Sequence, residues 1–377
     1  MKFFTAFLAL PFRQIWNSEQ AQNLPIRIIW DDQGFIDVPW QPPFEIEPPE
    51  DPDPDDILTI YKLGAMIEIK DENGVVIDGM SFNISYSVND FAWSLTGSRQ
   101  EDSDFLLNKN VTVDINSESW TFRVIQVEKS ERFGRPTYNI TARGLQSLFG
   151  EPHELPITRT ETSASLASSL ANNLIQPADA NITWSGVNPN YPPNSWSFSD
   201  KSRIAAIRDL ARELGLIILP AKDSTDFEVR FKHEQFSWLW AVAAPAQVLN
   251  KSDLLNFTRQ RQEIINYTGI YVTSEKFANN ALVRRTGTNG DVTLPEITSA
   301  LIPDGLSAIS RGGLALSEAN IDLNLSADYF LKDTTVSIPP GEIILIGTEK
   351  YYVEAITISV QNLNKRVIQR LTLKGVE

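Results

Sequence analysis

The chain has 377 residues, 42% hydrophobic and 21% charged, enough apolar material for two or three packed domains. Its formal net charge of -15 leaves no surplus of Lys and Arg for gripping phosphates, which argues against a nucleic-acid binder. The absence of cysteine excludes disulfides, thiolate metal sites and thiol catalysis, and with only two histidines a multi-histidine metal centre is not expected.

Lys2 and the apolar run from Phe3 to Leu10 have the outline of a short secretory signal. No clean small-x-small cleavage site follows, so the run is expected to remain and pack on a neighbour. No stretch of 18 apolar residues occurs, and no membrane span is expected. PIRIIW (25–30) and GFIDVPW (34–40) read as two short strands. The following segment, QPPFEIEPPEDPDPDD from Gln41 to Asp56, combines six prolines with a dense set of carboxylates. Proline removes backbone donors and like charges repel, so residues 1–56 are assigned as an arm ending in a stiff, extended linker.

Residues 57–150 read as a first small β-barrel. Apolar residues alternate at Phe82, Ile84, Tyr86 and Val88, then change parity to Phe91, Trp93 and Leu95. A bulge at Asn89-Asp90 would keep both halves on one core face, and a tight hairpin turn there is the competing reading. Val111, Val113 and Ile115 alternate next, then Trp120, Phe122 and Val124, with a second parity change at Ile125. Turn residues separate these runs at Asp71–Gly74, Asn108–Asn110 and Phe133–Pro136.

Residues 151–232 change texture and are expected to form a small α+β module. Leu166, Leu170 and Leu174 lie four apart with Ala167 and Ala171 beside them, one apolar helical stripe. A second stripe is Ile204, Ile207, Leu210, Ala211 and Leu214, with Asp200 or Ser202 as N-cap and Gly215 as the stop. LIILP (216–220) and DFEVRFK (226–232) read as a hairpin.

Residues 233–377 return to β texture and read as a second small barrel. At their start Phe236, Trp238 and Trp240 fall on even positions, expected to be a buried connection or, if exposed, an interface patch. GLSAISRGGLALSEAN (305–320) reads as a helix interrupted at Gly312-Gly313, and 341–360 as a hairpin turning at Gly347–Lys350. The fold class is therefore mainly β with an α+β insertion: two small tube-type barrels joined by the module, a duplicated plan without a detectable sequence repeat.

Little chemistry is legible. No phosphate-binding loop, nucleophile elbow or H-E-x-x-H occurs. His153 reads as a loop residue between acids and His233 as the end of a strand. Glu101, Asp102 and Asp104 crowd one polar loop without an apolar pocket to raise a pKa, and the prolines among Asp51–Asp56 prevent a calcium loop. No catalytic, metal or cofactor-binding residue is assigned.

The order of parts, with NDFAWSLTGS (89–98), LASSLANNLI (166–175), the 200–232 segment, RGGLALSEA (311–319) and GEIILIGTEKYYVEAITIS (341–359), resembles the baseplate hub family of tailed phages. That family includes late-control-type proteins and the hub at the base of contractile spikes. The likeness covers roughly residues 60–377. It implies a structural virion protein of the tail tip, not an enzyme, made in the host cytoplasm. It implies a homotrimer whose six barrels form a ring adapting a six-fold tail tube to a three-fold tip. The implied partners are a distal tail or tail tube protein, a tape measure protein and a tail-tip spike or central fibre, with genomic DNA passing through the lumen without specific binding. Two alternatives remain open: a carbohydrate-binding or adhesin module, with Trp184, Tyr191 and Trp196 as a stacking platform, and a tail-associated cell-wall hydrolase.

Overall fold

The computed structural model describes residues 65–376 except 177, 333–334 and 362–365; PIRIIW, GFIDVPW and the proline-acidic segment lie outside the described residues. The chain is mainly β. Its first part supplies β1 (Ile67–Asp71), β2 (Ser81–Ser87), β3 (Ser94–Arg99), β4 (Asn110–Ile115), β5 (Glu118–Arg132) and β6 (Arg135–Gly144). Alternation places Val111, Val113, Ile115, Trp120, Phe122 and Val124 in one core, all nearly devoid of solvent contact. β2 and β3 pair antiparallel, and the Asp90 N–H donates to the Ser87 carbonyl at 2.9 Å. The parity change at Asn89-Asp90 is thus a hairpin turn, not a bulge. A turn reverses the chain and returns both strands to the same core, with Trp93 buried in it. The bulge lies in β5, between Val124 and Gln126, where the sequence also changes parity.

The module contains β7 (Ile157–Thr160), β8 (Ser165–Leu166), α1 (Ala167–Leu174), β9 (Ile182–Trp184), β10 (Asn190–Tyr191), β11 (Ser197–Lys201), α2 (Arg203–Glu213), β12 (Leu216–Pro220) and β13 (Phe227–Phe231). Both helices bury the expected stripes, and Gly215 takes φ +73, the left-handed turn that ends α2. Leu166 departs from its stripe: it sits at the N-cap of α1, before the helical face begins, and is exposed. The module is fastened to the sheet by polar ends of buried aromatics. Tyr86 Oη donates to the Ile218 carbonyl at 2.9 Å, Trp93 Nε1 to that of Pro220 at 3.3 Å, and Tyr352 Oη to that of Lys232 at 2.7 Å. Gln146, fully buried, places Nε2 within 3.0 Å of the Ala221, Ser224 and Asp226 carbonyls and so closes the β12–β13 turn against the first sheet half.

The remaining elements are β14 (Gln247–Leu249), β15 (Leu254–Arg261), β16 (Gly269–Ser274), β17 (Asn280–Arg284), β18 (Thr293–Ser299), α3 (Gly305–Ala319), β19 (Leu323–Phe330), β20 (Ile343–Ile346), β21 (Glu349–Gln361) and β22 (Arg366–Gly375). β16–β18 form a separate three-stranded sheet beneath α3. All other strands from β1–β6 and from this region join one twelve-stranded sheet, in the order β1-β4-β5-β6-β3-β2-β21-β22-β19-β15, with β20 and β14 attached beside β21. The two halves read as barrels thus meet edge to edge where β2 pairs with β21.

Helix α3 is continuous through Gly312-Gly313 rather than interrupted. Its glycines serve close packing: a Cβ on Gly312 would lie 2.8 Å from Val283 Cγ2, and one on Gly313 2.4 Å from Phe236 Cζ. Gly313→Ala is therefore expected to cost about 1–3 kcal/mol through overpacking, although alanine favours helix by about 1 kcal/mol. Combining it with Phe236→Ala should cost at least about 1 kcal/mol less than the two changes summed, measured by urea denaturation.

Candidate assembly interface

The two sheet halves repeat one construction, residue by residue. In each, a long hairpin (β5–β6, β21–β22) carries a bulge at the same place, between Val124 and Gln126 or between Val353 and Ala355. Across the four strands beyond the bulge, the row Phe82·Gly97·Ile140·Val127 corresponds to Phe257·Ala327·Leu371·Ile356. Each row sets a phenylalanine over a small residue and ends in aliphatic side chains. The adjacent row, on the opposite face, is Asn83·Thr96·Thr141·Gln126 in one half and Thr258·Ser326·Thr372·Ala355 in the other. One face of the sheet is thus apolar and packed, and the other short and hydroxyl-rich, in both halves.

The long strands are each shared between two partners. Before its bulge, β5 pairs with β4 and β21 with β20. Beyond the bulge, β21 pairs with β2: Phe82 faces Val360, Ile84 faces Ile358 and Tyr86 faces Ile356, all buried. The corresponding stretch of β5, Gln126–Arg132, pairs only with β6 among the described residues. At the far end of the sheet, β15 pairs with β19, and with no other strand among the described residues. Where the internal junction has Ile358 and Val360, this stretch of β5 has Lys129 and Glu131; where it has Ile84 and Tyr86, β15 has Arg259 and Arg261. Charged side chains on an open edge keep it from pairing indiscriminately. The β5–β6 hairpin ends in Phe133-Gly134 at φ +52 and +72, with the Phe133 ring wholly exposed.

The aromatic segment lies close to the junction. Residues Ser237–Val242 form a 3-10 turn. Trp240 faces inward at 2% exposure, stacked on Tyr352 with ring centroids 5.5 Å apart. Phe236 and Trp238 are half-buried and stacked on each other at 4.9 Å. The exposed large hydrophobic residues of the segment are Leu239 and Val242, neither of them among the three aromatics that the sequence singled out. His233 does follow a strand end, but it is buried edge-on to Tyr352 and Trp240 and lines a cavity of about 160 Å³ together with Lys232, Glu318 and Lys374. His153 is exposed.

Burial, reinforced by the Lys232 charge, lowers the His233 pKa from 6.5 to about 3. The unfolded chain takes up this proton near pH 6.5 and the folded chain only near pH 3, so its contribution to stability is constant above 6.5 and declines as pH falls through that window. By pH 5 the loss is about 2 kcal/mol, and His233→Phe is expected to remove that share of the acid sensitivity in melts at pH 7.5 and 5.

Of the platform considered for sugar stacking, Tyr191 and Trp196 are buried in the module core and Trp184 turns its indole N–H to the Val187 carbonyl at 2.9 Å. Tyr191 and Trp196 therefore present no stacking face, and Trp184 is half-buried against the same core. Among the described residues no cluster of three or more histidines and carboxylates could hold a metal, and no helix is long and apolar enough to cross a membrane.

No protein-family model and no curated protein matches the sequence. Solved structures do. A tail protein from Neisseria meningitidis superposes with a TM-score of 0.60 at 12% identity, covering 82% of this chain and 96% of that one. A prophage tail protein from Listeria monocytogenes EGD-e gives 0.55 at 11%, covering 81% and 94%. The 43 kDa tail protein of prophage MuSo2 from Shewanella oneidensis gives 0.54 at 11%, covering 81% and 97%. The chain has the fold of phage tail proteins.

Proposed function

We propose that this chain is a structural protein of a phage-type tail, and that three copies close into a hub ring at the tail tip. The observation that carries the reading is the duplicated sheet. Each chain holds two halves of one construction joined edge to edge, so three chains offer six equivalent units. Such a ring matches a six-fold tail tube on one side and a three-fold spike or fibre on the other. Its neighbours would be a distal tail or tube protein, the tape measure protein and the tip spike or central fibre. The net charge of -15 favours a lumen that lets DNA pass without holding it. Leu239 and Val242, beside the half-buried Phe236 and Trp238, are the exposed apolar residues through which the aromatic segment would meet a neighbour.

Antibody labelling of purified tails tests the placement. Label confined to the tail tip is the expected result; label on the capsid or along the whole tube, or its absence from the particle, would overturn the reading.

A further inference from the structure

We infer that the chain carries a binding pocket for a single neutral sugar ring, lined by Lys232, His233, Glu318, Tyr352, Glu354 and Lys374. The pocket is the cavity of about 160 Å³ beside His233. That is room for about five waters, the space of one sugar ring and not of a chain. It stands on the bulge of the second sheet half. Tyr352 on β21 and Asn324 on β19 flank Lys374 of β22 in one row, and Glu354 is the extra residue that the bulge inserts. A bulge re-aims side chains, and here the Glu354 carboxylate lies 3.3 Å from Lys374 Nζ. The matching row of the first half is Arg123·Arg143·Ser94, and its inserted residue is Ile125. The halves share the construction, but only the second places a carboxylate in it.

Three observations set the class of ligand. First, His233 is 6% exposed, and neither of its ring nitrogens has a hydrogen-bond partner among the described residues. A buried polar group left unpaired costs about 1–3 kcal/mol. A neutral imidazole offers one donor and one acceptor, and a hydroxyl answers both. Second, the charges of the lining cancel. Lys232 pairs with Glu318 at 2.6 Å and Lys374 with Glu354 at 3.3 Å, so an ion of either sign meets no net attraction. Hydrogen-bonding capacity remains nonetheless. Lys232 Nζ has two acceptors, Asn89 Oδ1 and Glu318 Oε1, for its three N–H groups. Glu318 and Glu354 each engage one oxygen of their carboxylates in these pairs and keep the other to accept. Donors and acceptors around a space of zero net charge suit neighbouring hydroxyls, and not a carboxylate or phosphate. Third, part of the wall is apolar. Ile321 and the Tyr352 ring, whose hydroxyl already donates to the Lys232 carbonyl at 2.7 Å, can meet the C–H groups of a sugar. The site is separate from Trp184, Tyr191 and Trp196, none of which lines it.

Saturation-transfer NMR with the full chain tests the assignment. The probes are the methyl glycosides of glucose, galactose and N-acetylglucosamine, with sorbitol as an open-chain polyol and glucuronate as a charged ring. Saturation transfer to at least one methyl glycoside at millimolar concentration is expected, and none to sorbitol or glucuronate. Replacing both partners of one ion pair, Lys374→Met with Glu354→Met, strands no charge, so the chain should stay folded, which its thermal melt checks. His233→Phe keeps the ring and removes both nitrogens. Each variant is expected to weaken binding by about ten-fold or more. Silence from all three glycosides, which would mean a cavity filled by water alone, would overturn the inference. Binding unchanged in either variant, or a preference for sorbitol or glucuronate, would overturn it too. The hub reading does not depend on these outcomes, since the labelling of tails tests it separately.

Discussion

Ile358→Asp is expected to prevent folding, whereas Lys129→Ala, at the matching position of the other half, should leave the chain folded. Ile358 and Ile84 oppose each other at the internal junction with 0% exposure each. Removing either side chain to alanine should cost about 2–5 kcal/mol, from lost burial and the cavity left behind. A carboxylate there has no cationic partner across the strand and adds several kcal/mol of desolvation, roughly the whole stability of an ordinary domain. Lys129 occupies the same strand position but is exposed, and surface changes away from special features usually fall within about 0.5 kcal/mol. Soluble yield and circular dichroism melts of the two variants, at concentrations that keep the chain dissociated, make the comparison. Equal behaviour would mean that the β2–β21 pairing does not hold the halves together.

Trp240→Ala is expected to lower stability by about 3–5 kcal/mol, while Val242→Ser, two residues on, should cost under about 0.5 kcal/mol. Trp240 packs with Val88, Ile217, Ile321 and Tyr352, one cluster drawing together the end of β2, the module hairpin and β21. Its Nε1 donates to the Gln235 carbonyl at 2.9 Å, so truncation also removes this hydrogen bond. Val242 is exposed and touches none of this cluster. Chemical denaturation of both variants separates a core role from a contact role within one short segment. A small loss for Trp240→Ala would place it outside the core.

Much of the architecture was legible because it follows from period. Alternation at Val111–Ile115 and at Trp120–Val124 marks strands with one buried face, and the four-residue spacing of Leu170 and Leu174 marks a helix. Parity changes were visible too, but parity alone does not separate an inserted residue from a reversal of the chain. The same signal is a turn at Asn89-Asp90 and a bulge at Ile125. Gly312-Gly313 misled for a related reason: glycine lowers helix propensity, and the close approach of Val283 and Phe236 that requires it is a tertiary fact. The duplication was legible only as a plan. In the first half a short turn joins β2 to β3, whereas β16–α3 intervene between the matching β15 and β19. The positions that differ most in chemistry, Ile84 against Arg259 and Ile358 against Lys129, are those whose burial depends on which edge is covered. The paired bulges at Val124–Gln126 and Val353–Ala355 are the local signal that aligns the halves.

The mass and symmetry of the full chain in solution test the central claim most directly. Native mass spectrometry, followed by class averages of the same sample, should give three copies forming a ring with six similar lobes around an open centre. A monomer at micromolar concentration, or a two-fold particle without a central opening, would contradict it.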